Sequence, residues 1–104
     1  MKNKIEYLFD CLSEECGEVV QVIGKIQRFG LHDTDPAKGF GFSNDFKLGR
    51  ELNDVLAVVQ LLAENGVVIP GVFDAVHIEE KKAKVRNYYS YSIERGCLEP
   101  EDKK

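Results

Sequence analysis

The chain lacks tryptophan altogether, and its 104 residues include only two histidines and three cysteines. Cys11, Cys16 and Cys97 are odd in number and show no CxxC spacing, which argues against a disulfide framework or a thiolate zinc site. They read as small buried or neutral side chains. His32 and His77 stand apart from each other, so they offer neither a histidine metal site nor a nucleophile pair, and packing is their expected role. No apolar run approaches the roughly 20 residues that span a bilayer. The opening Met-Lys-Asn-Lys-Ile-Glu also lacks the continuous apolar core of a signal peptide, so a cytoplasmic protein with no membrane partner is expected. The formal charge of −4 argues against a nucleic-acid partner, which would call for a basic surface.

The residues that are present, 43% apolar and 31% charged, belong to a folded chain. A chain this short makes one domain and buries a modest fraction of its surface alone, so association of copies is expected. Asn3 followed by Glu6 has the form of a capping box. Ile5, Leu8, Leu12, Val19, Val22, Ile23 and Ile26 then recur at helical spacing as far as Phe29, with Gly30 as the stop. Gly17 and Gly24 each cost such a helix roughly 1 kcal/mol relative to alanine, and close approach of a neighbouring helix is the expected compensation. Residues 31–44 carry turn formers and Phe40 and Phe42 without periodicity, which predicts a long loop.

Ser43 or Asn44 is positioned to cap a second helix with the stripe Leu48, Val55, Val58, Val59 and Leu62, ending at Asn65-Gly66. Val67-Val68-Ile69 reads as an ordered connector. A third helix is expected from Val72 to Ser92. Its projection places Phe73, Val76, Ala83 and Tyr91 on one side, with Glu80, Lys84 and Asn87 near them and Lys81, Lys82 and Arg86 fanning outward. The fold class is all-α: a bundle of about three main helices, the first two antiparallel, completed into a four-helix type by oligomerisation. The domain spans residues 1–94, and 95–104 form a frayed C-terminal tail.

Two acidic motifs interrupt the apolar stripes. They are Glu14-Glu15-Cys16-Gly17-Glu18 in the first helix and Glu51-Leu52-Asn53-Asp54 in the second. At about 100° per residue, Glu15 falls between Val22 on one side and Leu8, Val19 and Ile26 on the other. Glu51 falls likewise between Val58 and the group Leu48, Val55 and Leu62. Each motif offers a second acid one turn on, Glu18 and Asp54, with Cβ atoms roughly 5–6 Å from the first. Four carboxylates gathered in a partly buried interface resist ionisation unless a hard cation neutralises them. Oxygen-only ligands select Mg²⁺, Mn²⁺ or Ca²⁺ over zinc. Glu15, Glu18, Glu51 and Asp54 together carry a charge equal to the net −4 of the chain, so its acidity is concentrated at one place. A carboxylate cage of this kind leaves positions open to water and phosphate oxygens, which points to a di- or triphosphate substrate.

EECGE followed by ELND resembles the EExxE and ExxD pattern of the MazG-like all-α nucleoside triphosphate pyrophosphatases. The likeness runs from about Leu12 to Gly66, takes in Lys25 to Gly30, and continues through Lys81 to Tyr91. The resemblance implies Mg²⁺ as cofactor, with Mn²⁺ as a substitute, held by Glu15, Glu18, Glu51 and Asp54. It implies that water attacks the α-phosphorus of a nucleoside triphosphate, giving monophosphate and pyrophosphate. Glu14 completes the motif and is a candidate for orienting that water. Lys25, nearly in line with Glu18, and Arg28 are candidates for phosphate contacts, while Lys84, Asn87 and Tyr91 are candidates for holding the nucleotide. The family grips its base with aromatic side chains; lacking tryptophan, this chain offers Phe29, Phe40, Phe42 and Tyr91. Family members of this size complete a four-helix unit by dimerising, so a homodimer or homotetramer is expected. The competing readings are a phosphoribosyl-ATP pyrophosphohydrolase or phosphodiesterase-like variant within the superfamily, and a non-enzymatic helical interaction module. Salt-bridging acids usually flank an apolar seam, and Glu15 and Glu51 sit within theirs.

Overall fold

The computed structural model describes residues 1–35 and 41–101. It contains three helices, α1 (Lys4–Phe29), α2 (Asn44–Glu64) and α3 (Ala75–Glu94), with no strand among the described residues. The protein is all-α. Its chain divides into two compact units, Met1–Ile69 and Pro70–Lys104. Phe40 and residues 102–104 of the expected tail lie outside the described residues.

The first unit is a hairpin of α1 and α2. Asn3 caps α1 as its sequence predicts: its side-chain oxygen accepts from the Glu6 amide at 2.9 Å, and its amide group donates to the Glu6 carboxylate at 3.2 Å. The helix stops at Gly30, whose φ of 103° ends the repeat while its N–H still donates to Ile26. The partly or fully buried side chains of α1 are Ile5, Leu8, Cys11, Leu12, Glu15, Glu18, Val19, Val22 and Ile26. Their spacing of three and four residues is that of a single helix face. On α2 the matching face is Asn44, Lys47, Leu48, Glu51, Val55, Val58, Val59 and Leu62.

The helices run antiparallel. Leu8 near the start of α1 packs with Val58 and Leu62 near the end of α2, while Gly30 at the other end of α1 meets Asn44 at the start of α2. Leu62 is fully buried, which contributes about 1.5–3 kcal/mol of hydrophobic stabilisation. Past it, α2 closes in a Schellman turn: Gly66 at φ 89° donates to Ala63, and Val67 donates to Leu62. That turn folds Val67 and Ile69 onto the Leu8–Val58–Leu62 cluster, so the connector is ordered by packing.

At the loop end, Ser43 takes the N-cap position of α2, but its hydroxyl donates to the Asp45 carboxylate and makes no cap bond. Asn44, the other expected cap, turns inward. It is 3% exposed, its amide nitrogen donates to the Gly30 carbonyl at 3.0 Å, and its backbone N–H donates to Asp33. Among the described residues no atom lies within 4 Å of where a Cβ would stand at Gly17 or Gly24, so α2 does not supply the close approach expected there. The cysteines are free as expected, yet only Cys11 is shielded; Cys16 and Cys97 are exposed.

In the second unit α3 begins at Ala75, three residues after the expected start. Gly71 and Phe73 adopt positive φ values of 80° and 68°, which a helix cannot contain, and Asp74 caps the N-terminus by accepting from the His77 amide. Phe73 is therefore outside the helix. At the other end the helix continues to Glu94 and closes at Gly96, where Cys97 donates to Ser92. None of its residues is buried.

Candidate metal centre

Glu15 and Glu51 occupy the middle of the two packing faces, where the helix repeat carries them into the seam between α1 and α2. Both are half-buried. Asp54, one turn beyond Glu51, stands at the exposed rim. One carboxylate oxygen from each of Glu15, Glu51 and Asp54 lies within 4.8 Å of the other two. The sequence-based placement of Glu15 and Glu51 within the apolar stripes is thus realised, and α2 supplies two acids against one from α1.

This arrangement is electrostatically unfavourable by itself. Burial, followed by repulsion from Asp54, Glu51, Glu14 and Glu18, raises the Glu15 carboxyl above its ordinary range. Among the described residues the ion pairs are Lys2–Asp10, His32–Asp45 and Lys82–Glu79, so no side-chain cation pairs with the three acids. The donor set fits a hard divalent cation. Ligands on opposite sides of a Ca²⁺ ion at 2.3–2.6 Å stand up to about 5 Å apart, and those around Mg²⁺ at 2.0–2.1 Å up to about 4 Å, so side-chain rotation alone closes the difference.

Glu18 is half-buried on the same face as Glu15 and close enough to raise its pKa, but it does not join the group of three oxygens. Glu14 is exposed beside them. Toward the loop end, a cleft of about 380 Å³ is lined by Lys25, Phe29, Asp33, Asp35, Asn44 and Lys47. Lys25 was among the residues singled out from sequence; Lys47 was not, although it precedes Glu51 by four residues and so shares its helix face. Arg28 does not line this cleft. Its guanidinium lies over the Phe29 ring, 5.5 Å from the centroid. Phe42 is stacked on Phe46 at 4.3 Å between centroids.

On α3, Lys84, Asn87 and Tyr91 share one face, as the projection predicts, and with Tyr88 they line an open groove of about 470 Å³. Tyr88 was overlooked in the sequence, although it stands four residues after Lys84 and so on the same face. Lys84 forms no ion pair with Glu80; the helix's ion pair is Lys82 with Glu79. Lys81, Lys82 and Arg86 line a different face with His77, Ile78 and Val85, in keeping with their outward fan.

An all-α hairpin that brings three carboxylate oxygens from two consecutive helices within 4.8 Å of one another offers a candidate site for a divalent cation. The chain belongs to the MazG nucleotide pyrophosphohydrolase domain family, whose sequence model matches residues 3–86. The match takes in every acid of the centre, Lys25, Arg28 and Lys84, and ends just before Asn87 and Tyr91. Neither a curated protein nor a solved structure matches the chain.

Proposed function

We propose that the protein is a Mg²⁺-dependent nucleoside triphosphate pyrophosphohydrolase that cleaves between the α- and β-phosphates and clears excess or modified deoxynucleotides. The observation that carries this reading is the convergence of Glu15, Glu51 and Asp54 without a basic partner, within a chain of the MazG family. An interaction module would need its acids paired with basic groups, and among the described residues these three have none.

Glu15, Glu51 and Asp54 would hold the cation, with Glu18 half-buried on the same helix face as Glu15. When bound, Mg²⁺ supplies charge neutralisation for the phosphoryl group and lowers the pKa of water. Glu14, exposed beside the centre, orients the attacking water and accepts its proton. Lys25, which lines the loop-end cleft, serves the phosphates. Water adds to the α-phosphorus, and the bond to the bridging oxygen breaks with its electron pair leaving on pyrophosphate.

Product analysis tests this. With Mg²⁺, triphosphates should give monophosphate and pyrophosphate in one step, and hydrolysis in labelled water should place the new oxygen on the monophosphate. EDTA after exhaustive dialysis should abolish turnover. Asp54→Asn should lose most activity and stay folded. Diphosphate and orthophosphate as primary products, or full activity in EDTA, would overturn the reading.

A further inference from the structure

The cleft at the loop end contains more than the acids require. Lys47 lies four residues before Glu51, about 6 Å along the axis of α2, and Lys25 lies seven residues after Glu18, about 10 Å along α1. Because the helices are antiparallel, both displacements run the same way, toward Gly30 and Asn44. One lysine from each helix therefore lies one to two turns from the carboxylates in the same direction, and both line the cleft. Neither lysine forms an ion pair among the described residues. The floor between them is held by hydrogen bonds: Asn44 to Gly30 at 3.0 Å, the Asn44 amide to Asp33 at 3.0 Å, and the Asp45 amide to Leu31 at 2.9 Å. Phe29, Asp33 and Asp35 complete the lining of the cleft.

We infer that Lys25 and Lys47 form a two-helix clamp for the departing pyrophosphate, with Lys47 a substrate-binding residue. The inference rests on the pyrophosphohydrolase reading above. As the bond from the α-phosphorus to the bridging oxygen breaks, that oxygen keeps the electron pair and gains negative charge. The lysines meet this charge, while the water oxygen stays on the α-phosphate and its proton passes to solvent through Glu14. A polyphosphate with its α-phosphate at the acids extends along the seam to both ammonium groups, whereas a monophosphate does not reach them.

The test compares full-length wild type with Lys47→Gln, Lys25→Gln and Lys47→Arg, with Lys4→Gln as a control at the far end of α1. Pyrophosphate binding is followed by calorimetry in Mg²⁺, and inhibition by pyrophosphate and by monophosphate is followed in steady state. Lys47→Gln should weaken pyrophosphate binding roughly tenfold or more, as loss of a charge-assisted contact does. It should leave monophosphate inhibition and Mg²⁺-induced thermal stabilisation unchanged, and Lys47→Arg should recover most of the loss. Unaltered pyrophosphate binding in Lys47→Gln, or an equal loss for monophosphate, overturns the clamp. The two failures are distinguishable. A wild type that releases no pyrophosphate from any triphosphate sinks the activity and the clamp with it, while an active wild type whose pyrophosphate binding does not depend on Lys47 sinks the clamp alone.

Discussion

Glu15 and Asp45 are two carboxylates whose environments push them in opposite directions. Glu15 is raised by burial and then by its acidic neighbours; Asp45 is lowered, chiefly by the hydrogen bond from the Ser43 hydroxyl. The folded state binds the Glu15 proton more tightly than the unfolded chain does. Metal-free protein therefore gains stability as pH falls through the raised Glu15 value toward the ordinary 4.5. Asp45 acts in reverse, since its stabilisation is present above the ordinary 3.8 and is lost as pH falls below that toward the lowered value. As pH falls from neutral to 4.5 the Glu15 effect stands alone of the two, since Asp45 changes only below 3.8. The thermal midpoint in EDTA should rise over that interval, and Glu15→Gln should flatten the rise while raising the midpoint at neutral pH. The same variant should lose the stabilisation that Mg²⁺ gives wild type. A rise that persists in Glu15→Gln would assign the linkage to another group.

Helices α1 and α2 differ in how far their sequences disclose them. Periodicity and the Asn3 and Gly30 signals delimit α1 to the residue. The face of α2 is equally legible, because Leu48, Val55, Val58 and Leu62 recur as a helix requires. What the stripes could not disclose is the fate of Asn44, whose cap-like identity conceals a tertiary role: it is nearly fully buried and ties α2 to Gly30. Lys47 was obscure for a similar reason, since a lysine on a helix face acquires meaning only once Lys25 stands across from it. In α3 the absence of burial deprives the pattern of its usual cause, and the start is set by Phe73 and Asp74, not by apolar spacing. Two substitutions test these assignments by chemical denaturation. Leu62→Ala should cost about 2–5 kcal/mol as a fully buried large-to-small change. Asn44→Ala should cost about 1 kcal/mol by removing one of the two donors to the Gly30 carbonyl, which keeps the Asp33 amide at 3.4 Å.

Among the described residues few apolar side chains are shielded: Leu8, Val22, Val58 and Leu62 are buried, while Val76, Val85, Tyr88 and Tyr91 on α3 are among the many exposed. We propose that a second copy covers such surface, making a homodimer or a homotetramer. Sedimentation at micromolar concentration should show that assembly, and a monodisperse active monomer would exclude it. Gly17 offers a sharper probe because the described residues of its own chain leave the space above it open. If a partner helix fills that space, Gly17→Ala should weaken assembly; if solvent fills it, the substitution should stabilise the fold by roughly 1 kcal/mol. The family match, spanning residues 3–86, crosses from the first compact unit into the second, so both units belong to the family's sequence pattern. The placement of Glu15 and Glu51 has one more consequence. A seam with aliphatic packing around Leu62 and like charges at its midpoint should not open evenly. In metal-free protein, backbone amides flanking Glu51 should exchange with deuterium faster than those near Leu62, and saturating Mg²⁺ should slow the former far more than the latter. The cation would then govern how long the two helices stay together.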